Sequence, residues 1–145
     1  GSFSARLMRT VRDVEGLTYN VGSHMGGFVP QHKGHWCVYA SFSPKLLDQG
    51  IAAIEKQLTL WVKSGITLDE LTERKEGMIG KYAVTLSDAQ VLASKIASNI
   101  ENGHDVDYLY TFPEKVAAVT IEQVNAALKK YIDLNNLLRV YAGSV

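Results

Sequence analysis

The side chains near the start of the sequence that are best suited to chemistry are Arg12 and Tyr19, seven residues apart. A guanidinium offers fixed N–H donors and a phenol offers one O–H donor, so the two together could hold a carbonyl oxygen. A purely structural interpretation is also open, in which Arg12 is a cation in the last turn of a helix and Tyr19 a half-buried strand residue. On periodicity alone, the structural interpretation is preferred.

The four histidines make only a weak case for a metal site. His32 and His35 are the one pair with ligand-like spacing. They precede a predicted strand, in which residues three apart point to opposite faces, and no carboxylate lies beside them. The zinc-peptidase patterns H-E-x-x-H and H-x-x-E-H are absent, so we assign no metal ligand in this chain.

The single cysteine, Cys37, lies in the predicted strand HWCVYASF, where a buried thiol acting as a small apolar side chain is the preferred interpretation. One cysteine cannot form a disulfide within the chain, so thiol content indicates no compartment. The glycine-rich stretch SHMGGFVP lacks the spacing and the lysine of a phosphate-binding loop, which argues against nucleotide binding.

Two kinds of periodicity predict the elements that position these residues. The opening segment predicts a helix that ends at Gly16. Its apolar face would consist of Leu7, Met8, Val11 and Val14. The stretches LTYNV and HWCVYASF then alternate as strands do, and predict an antiparallel hairpin across the long connection GSHMGGFVPQHKG.

The rest of the chain is predicted to be mostly helical, beginning with an apolar stripe between Lys45 and Ser64. Three pairs with the spacing of a capping box predict further helix starts: Thr67 with Glu70, Ser87 with Gln90, and Thr120 with Gln123. We expect a bend or break at Gly77 and Gly80 and a boundary at Pro113. The tail NLLRVYAG predicts a final strand.

This order of elements predicts an α+β fold, a two-layer sandwich in which helices cover one face of an antiparallel sheet. The length of 145 residues fits one domain, 1–145. Fifteen basic and fifteen acidic side chains cancel without charged runs, so we expect neither a nucleic acid nor an anionic membrane as partner. No apolar run approaches the roughly 20 residues of a membrane span.

The run FSARLMRTVRDVEGLTYNVGS resembles the C-terminal substrate-binding domain of the pitrilysin and mitochondrial processing peptidase family of zinc metallopeptidases, the inverzincins. In that family a Phe-Ser-Ser-Arg-Leu-like run leads into a helix, then an arginine, then Gly-Leu-Ala/Thr-Tyr opening a strand. The matching positions here are Phe3, Ser4, Arg6, Leu7, Arg12, Gly16, Leu17, Thr18 and Tyr19. The later helices and the closing Val-Tyr-Ala-Gly fit the rest of the domain, so the resemblance covers nearly the whole chain.

The resemblance implies that Arg12 and Tyr19 are catalytic, substrate-contacting residues that grip a peptide carbonyl. It implies a zinc metalloendopeptidase whose zinc is bound outside this chain, so that the chain alone is inactive. The implied partners are a peptide substrate and a zinc-bearing N-terminal domain or separate subunit, in a homo- or heterodimer. A bacterial periplasm or cytoplasm is favoured over an organelle.

Family domains usually begin with a strand and a helix ahead of a glycine-rich loop, so residues 1–145 are expected to form an N-terminally truncated domain. Such a fragment would expose apolar surface, and we expect it to associate. Two alternatives stay open. One is a catalytically inert scaffold or interaction subunit with the same fold, like the core subunits of the respiratory cytochrome bc complex. The other is an unrelated α+β binding module, in which Arg12 and Tyr19 need not converge.

Overall fold

The computed structural model of the chain describes residues 2–27 and 34–143. The helices are α1 Phe3–Leu7 with a π-helical continuation Met8–Val14, α2 Leu47–Ser64, α3 Leu68–Thr85, α4 Ala89–Glu101, α5 Tyr108–Ala118 and α6 Ile121–Tyr131. A 3-10 turn, Pro44–Leu46, leads into α2, and the strands β1 Asn20–Gly26 and β2 His35–Ser41 pair antiparallel. The predicted α+β class is confirmed. No helix in these two ranges is long and apolar enough to cross a membrane.

The hydrophobic core lies where one face of the hairpin meets α1 and α2. Its buried members are Phe3, Leu7, Val11, Val21, Ala53 and Leu58. The ring of Phe3 stacks on Trp61 of α2 with centroids 4.3 Å apart, and lies 5.8 Å from the ring of Trp36 on β2. These contacts join the first helix, the sheet and α2, which together carry the start of the chain.

The predicted apolar face of the first helix is right for Leu7 and Val11, which are fully buried, but wrong for Val14, which is 76% exposed. The cause is the π-helical continuation, where hydrogen bonds reach back five residues, as from the N–H of Glu15 to the carbonyl of Thr10 at 2.9 Å. The turn is wider than the 3.6 residues of an α-helix, so a residue seven positions after Leu7 no longer returns to the buried face.

Two of the three predicted capping boxes are confirmed, Thr67 with Glu70 and Thr120 with Gln123. The third is wrong, because Asp88 and not Ser87 caps α4. The carboxylate of Asp88 accepts from the backbone N–H groups of Gln90 and Val91 at 2.8 and 3.0 Å. The hydroxyl of Ser87 instead donates to the carbonyl of Val84 at 2.7 Å. An ionised carboxylate satisfies two orphan donors and also complements the helix dipole, which a hydroxyl cannot do.

The predicted breaks at Gly77 and Gly80 and the predicted boundary at Pro113 are wrong, because α3 and α5 run through these residues. A Cβ at either glycine would meet nothing within 4 Å, so both lie on an open helix surface where their backbone bonds are kept. Pro113 has no N–H to donate to the carbonyl of Leu109. The hydroxyl of Tyr82 on α3 donates there instead, at 3.1 Å.

The predicted final strand is also wrong, because residues 132–143 form neither helix nor strand. Leu137 packs against the core, but Leu138 and Val140 are 91% and 80% exposed. Arg139 ties this segment to α2 through an ion pair with Glu55, 2.6 Å from nitrogen to oxygen. A strand exists only through a neighbouring strand, and in the part of the chain that the structure describes the sheet consists of β1 and β2 alone.

Candidate functional site at Arg12 and Tyr19

A tight turn brings the end of the first helix and the start of β1 together. Arg12 lies in the last turn of the π-helical segment, and its backbone carbonyl accepts from the N–H of Gly16 at 3.0 Å. The N–H of Leu17 donates to the carbonyl of Val11, also at 3.0 Å. Gly16 has a φ of 65°, a left-handed conformation that costs glycine little. The chain therefore reverses directly after Arg12.

Thr18 fixes the residue before Tyr19. Its buried side chain donates a hydrogen bond to the carbonyl of Ser41 on β2, and it accepts from the N–H of Asn20 at 3.1 Å. Val21, two residues after Tyr19, is buried in the core. Tyr19 thus stands between two fixed positions while its own side chain is 83% exposed.

Arg12 and Tyr19 are in direct contact. The guanidinium carbon of Arg12 lies 4.5 Å from the centroid of the Tyr19 ring, which is a cation–π arrangement. Asp13 Oδ1 is 3.7 Å from Arg12 Nε, too long for a hydrogen bond. Among the described residues, neither the guanidinium nor the phenolic hydroxyl makes a hydrogen bond, so their donors remain available to a ligand.

The structural interpretation fits Arg12 but not Tyr19. Arg12 is a cation in a last helical turn, as the structural interpretation requires. Tyr19 is not half buried on a strand, because it precedes β1 and is almost fully exposed. Burial in the core therefore does not account for a tyrosine at this position.

An ion pair holds the helix that carries Arg12 against the start of α3. The guanidinium of Arg6 donates to both carboxylate oxygens of Glu70 at 2.9 and 2.7 Å, and to the carbonyl of Gly65 at 3.3 Å. Burial by itself raises the pKa of Glu70. The hydrogen bond from Arg6, the backbone N–H of Thr67 and the positive charges of Arg6 and Arg9 lower the pKa by more, so it lies below its usual value. The carboxylate is held in its ionised form.

The structure corrects the prediction of a buried Cys37, which is partly exposed and lies beside the ring of His24. Sequence reasoning missed this pair, because His24 lies in the predicted connection and only the hairpin register places the two residues opposite each other. His32 lies outside the described residues, so its pairing with His35 is untested. Within residues 2–27 and 34–143, no group of three or more His, Cys, Asp or Glu side chains could hold a metal ion. Zinc therefore has no fitting site there.

Comparison with known proteins gives a family and a fold. The family described as peptidase M16 inactive domain matches residues 1–78. A solved structure, the peptidase M16 inactive domain from Pseudomonas fluorescens, superposes with a TM-score of 0.78 at 25% identity, covering 92% of this chain and 31% of that one.

Two relatives differ in what their names say of activity. An uncharacterized zinc protease of Bacillus subtilis, YmxG, is 29% identical over 133 residues, which is 90% of this chain. A protein of Helicobacter pylori named a non-peptidase homolog is 20% identical over 137 residues, or 94% of this chain. The chain spans 31% of the length of each. Since the family match covers more than half of its residues, the chain belongs to the family of peptidase M16 inactive domains.

Proposed function

We propose that this chain is the substrate-contacting domain of a zinc metalloendopeptidase and that Arg12 and Tyr19 grip the carbonyl of the bound peptide. The zinc belongs to another domain or a separate subunit, because the described residues offer it no site. The name of the Bacillus subtilis relative, a zinc protease about three times as long as this chain, supports such an arrangement.

One observation carries the proposal, the exposed contact between the guanidinium of Arg12 and the ring of Tyr19. The buried side chains of Val11 and Thr18 anchor the backbone on both sides, so the donors are held in place before a substrate arrives. Donors that need no reorganisation stabilise charge developing on a carbonyl oxygen better than mobile ones. The cation–π contact also keeps the guanidinium close to the phenol, so both can donate hydrogen bonds to the same carbonyl oxygen.

The second candidate is an inert domain of the same fold, which serves as a scaffold or interaction subunit. The relative named a non-peptidase homolog favours it, as does the family description of the domain as inactive. In such a protein Arg12 and Tyr19 would contribute only to local stability or to a protein contact.

The test uses the assembled peptidase, in which this domain is combined with its zinc-bearing partner. Arg12→Lys keeps the charge but loses the planar array of donors, and Tyr19→Phe keeps the ring but loses the hydroxyl. We expect each change to lower kcat by about 10²- to 10³-fold, as for other donors to a developing oxyanion. Tyr19 is exposed, Arg12 is partly exposed, and each change keeps most of the side chain, so folding should be unaffected.

Matched controls come from surface residues of the same types away from the pair. Arg74→Lys on α3 and Tyr110→Phe on α5 should leave kcat unchanged, since both positions are exposed. A rise in KM with unchanged kcat would indicate ground-state binding alone. Normal turnover in both Arg12→Lys and Tyr19→Phe would contradict the proposed role. A zinc-loaded assembly that cleaves no peptide would support the inert alternative.

A further inference from the structure

The open face of the hairpin carries a second pair of chemically capable side chains, Cys37 and His24. The two residues lie directly opposite each other in the β1–β2 register. Side chains along a strand alternate between faces, and the neighbours of Cys37 on β2, Trp36 and Val38, pack against the core. Cys37 and His24 therefore point away from the core, on the face that none of the helices in the described residues covers.

The thiol lies within hydrogen-bonding distance of the imidazole. The sulfur of Cys37 is 3.3 Å from Nδ1 and 3.4 Å from Nε2 of His24. Either ring nitrogen can take the proton, depending on the tautomer. His24 is exposed and Cys37 partly exposed, so a small molecule can reach the sulfur without opening the core.

Two glycines of β1 leave room for the rings on either side of this pair. A Cβ at Gly22 would lie 2.7 Å from the hydroxyl of Tyr39, and one at Gly26 would lie 3.2 Å from the ring of His35. Both rings therefore lie across β1, with centroids 6.0 and 5.9 Å from that of His24. They flank the Cys37 and His24 pair along the strands and leave its outer side open.

We propose that Cys37 and His24 form a nucleophile and base, and that Cys37 is a modification site that reacts with small-molecule disulfides. The usual structural role of a free cysteine, a small apolar side chain in a core, does not apply on this face. A thiol needs a base within hydrogen-bonding reach to act as a nucleophile, and His24 is such a base.

The reaction is thiol–disulfide exchange and needs no external oxidant. A ring nitrogen of His24 takes the proton from Cys37, and the thiolate attacks one sulfur of the disulfide. A new bond joins Cys37 to that sulfur while the original sulfur–sulfur bond breaks. The departing thiolate takes up a proton, so that one thiol and one disulfide yield one mixed disulfide and one thiol.

The experiment follows the reaction of the folded 145-residue chain with 4,4′-dithiodipyridine, an uncharged disulfide that releases a coloured thione. Cys37 is the only cysteine, so each thione released reports on it. A free thiol is only a few per cent ionised at pH 7, so a base can raise the reaction rate by at most about 30-fold. A stabilised thiolate is also a weaker nucleophile, which makes the increase in rate smaller. We expect His24→Gln to slow the reaction by about fivefold or more.

Two comparisons make the result decisive. His104→Gln removes an exposed histidine between α4 and α5 and should leave the rate unchanged. The wild-type chain unfolded in urea presents the same thiol without its base and should react more slowly than the folded chain. Should folded His24→Gln react within twofold of the wild type, or the unfolded chain react as fast as the folded one, the proposal is overturned.

Discussion

The hydroxyl of Tyr82 on α3 donates a hydrogen bond to the backbone carbonyl of Leu109 on α5, 3.1 Å away. That carbonyl lacks its usual α-helical donor, because the residue four positions further on is Pro113. A side chain of α3 therefore replaces a backbone hydrogen bond that α5 lacks. Burial and the neighbouring Tyr108 raise the pKa of Tyr82, so the hydroxyl keeps the proton that it donates.

Replacing Tyr82 by Phe should lower the free energy of unfolding by about 1 kcal/mol, since it removes the hydroxyl but keeps the ring that packs on Phe112. In a Pro113→Ala background the same change should cost less, because the new N–H at position 113 can donate to Leu109. Urea unfolding of the double-mutant cycle measures both. Equal losses in the two backgrounds would show that the bond does not substitute for the missing helix donor.

Glu70 makes stability dependent on acid pH. Its pKa is lowered in the folded state, so its contribution is present above the unfolded value of about 4.3 and is lost as pH falls through the folded pKa. Glu70→Gln should cost about 2 kcal/mol at pH 7. That difference from the wild type should shrink as the pH falls below the unfolded pKa of about 4.3, as thermal unfolding would show. Glu114→Gln, at an exposed position of α5, is the control that should change little at any pH.

The π-helical segment predicts opposite outcomes for two valines three residues apart. Val11→Ala removes two buried methyl groups and should lower the free energy of unfolding by about 2 kcal/mol. Val14→Ala, at a position that is 76% exposed, should change it by less than about 0.5 kcal/mol. Similar losses at both positions would indicate a regular α-helix instead.

The start of α4 distinguishes two neighbouring caps. Asp88→Ala should cost about 1 kcal/mol, because two backbone N–H groups lose their acceptor. Ser87→Ala removes only a bond to the end of the preceding helix, and we expect a smaller loss. Chemical denaturation of both variants decides between them, and a larger loss for Ser87→Ala would restore the sequence-based capping box.

Sequence patterns predicted the structure correctly where the stabilising interactions join residues that are close in sequence. The capping boxes at Thr67 and Thr120 depend on side chains three residues apart, so the sequence contains all that they need. The predicted hairpin is confirmed, but β1 includes only Asn20 and Val21 of the run LTYNV and extends to Gly26 within the predicted connection. The helix α2 follows from one apolar stripe. The family resemblance, which rested on the run FSARLMRTVRDVEGLTYNVGS and on the elements that follow it, is confirmed by the family match.

Patterns failed where a partner distant in sequence decides the outcome. The tail residues 136–143 are predicted to form a strand, but a strand requires a second strand to bond with, and within the described sheet none is offered. Pro113 should end a helix, yet the hydroxyl of Tyr82 satisfies the carbonyl that proline leaves free. Neither fact can be read from the residues around the position concerned.

The α+β class, the presence of a hairpin, most helix starts and the family could all be predicted from the residues, because each depends on short-range periodicity or on a contiguous motif. Three features required the folded structure: Tyr19 is exposed and lies against the guanidinium of Arg12, Val14 lies outside the core, and Cys37 lies beside His24 on the open face of the hairpin. Those outcomes depend on the width of one helical turn and on the register of one hairpin. The helical turn and the hairpin register both depend on packing against the core, whose contacts join residues far apart in the chain.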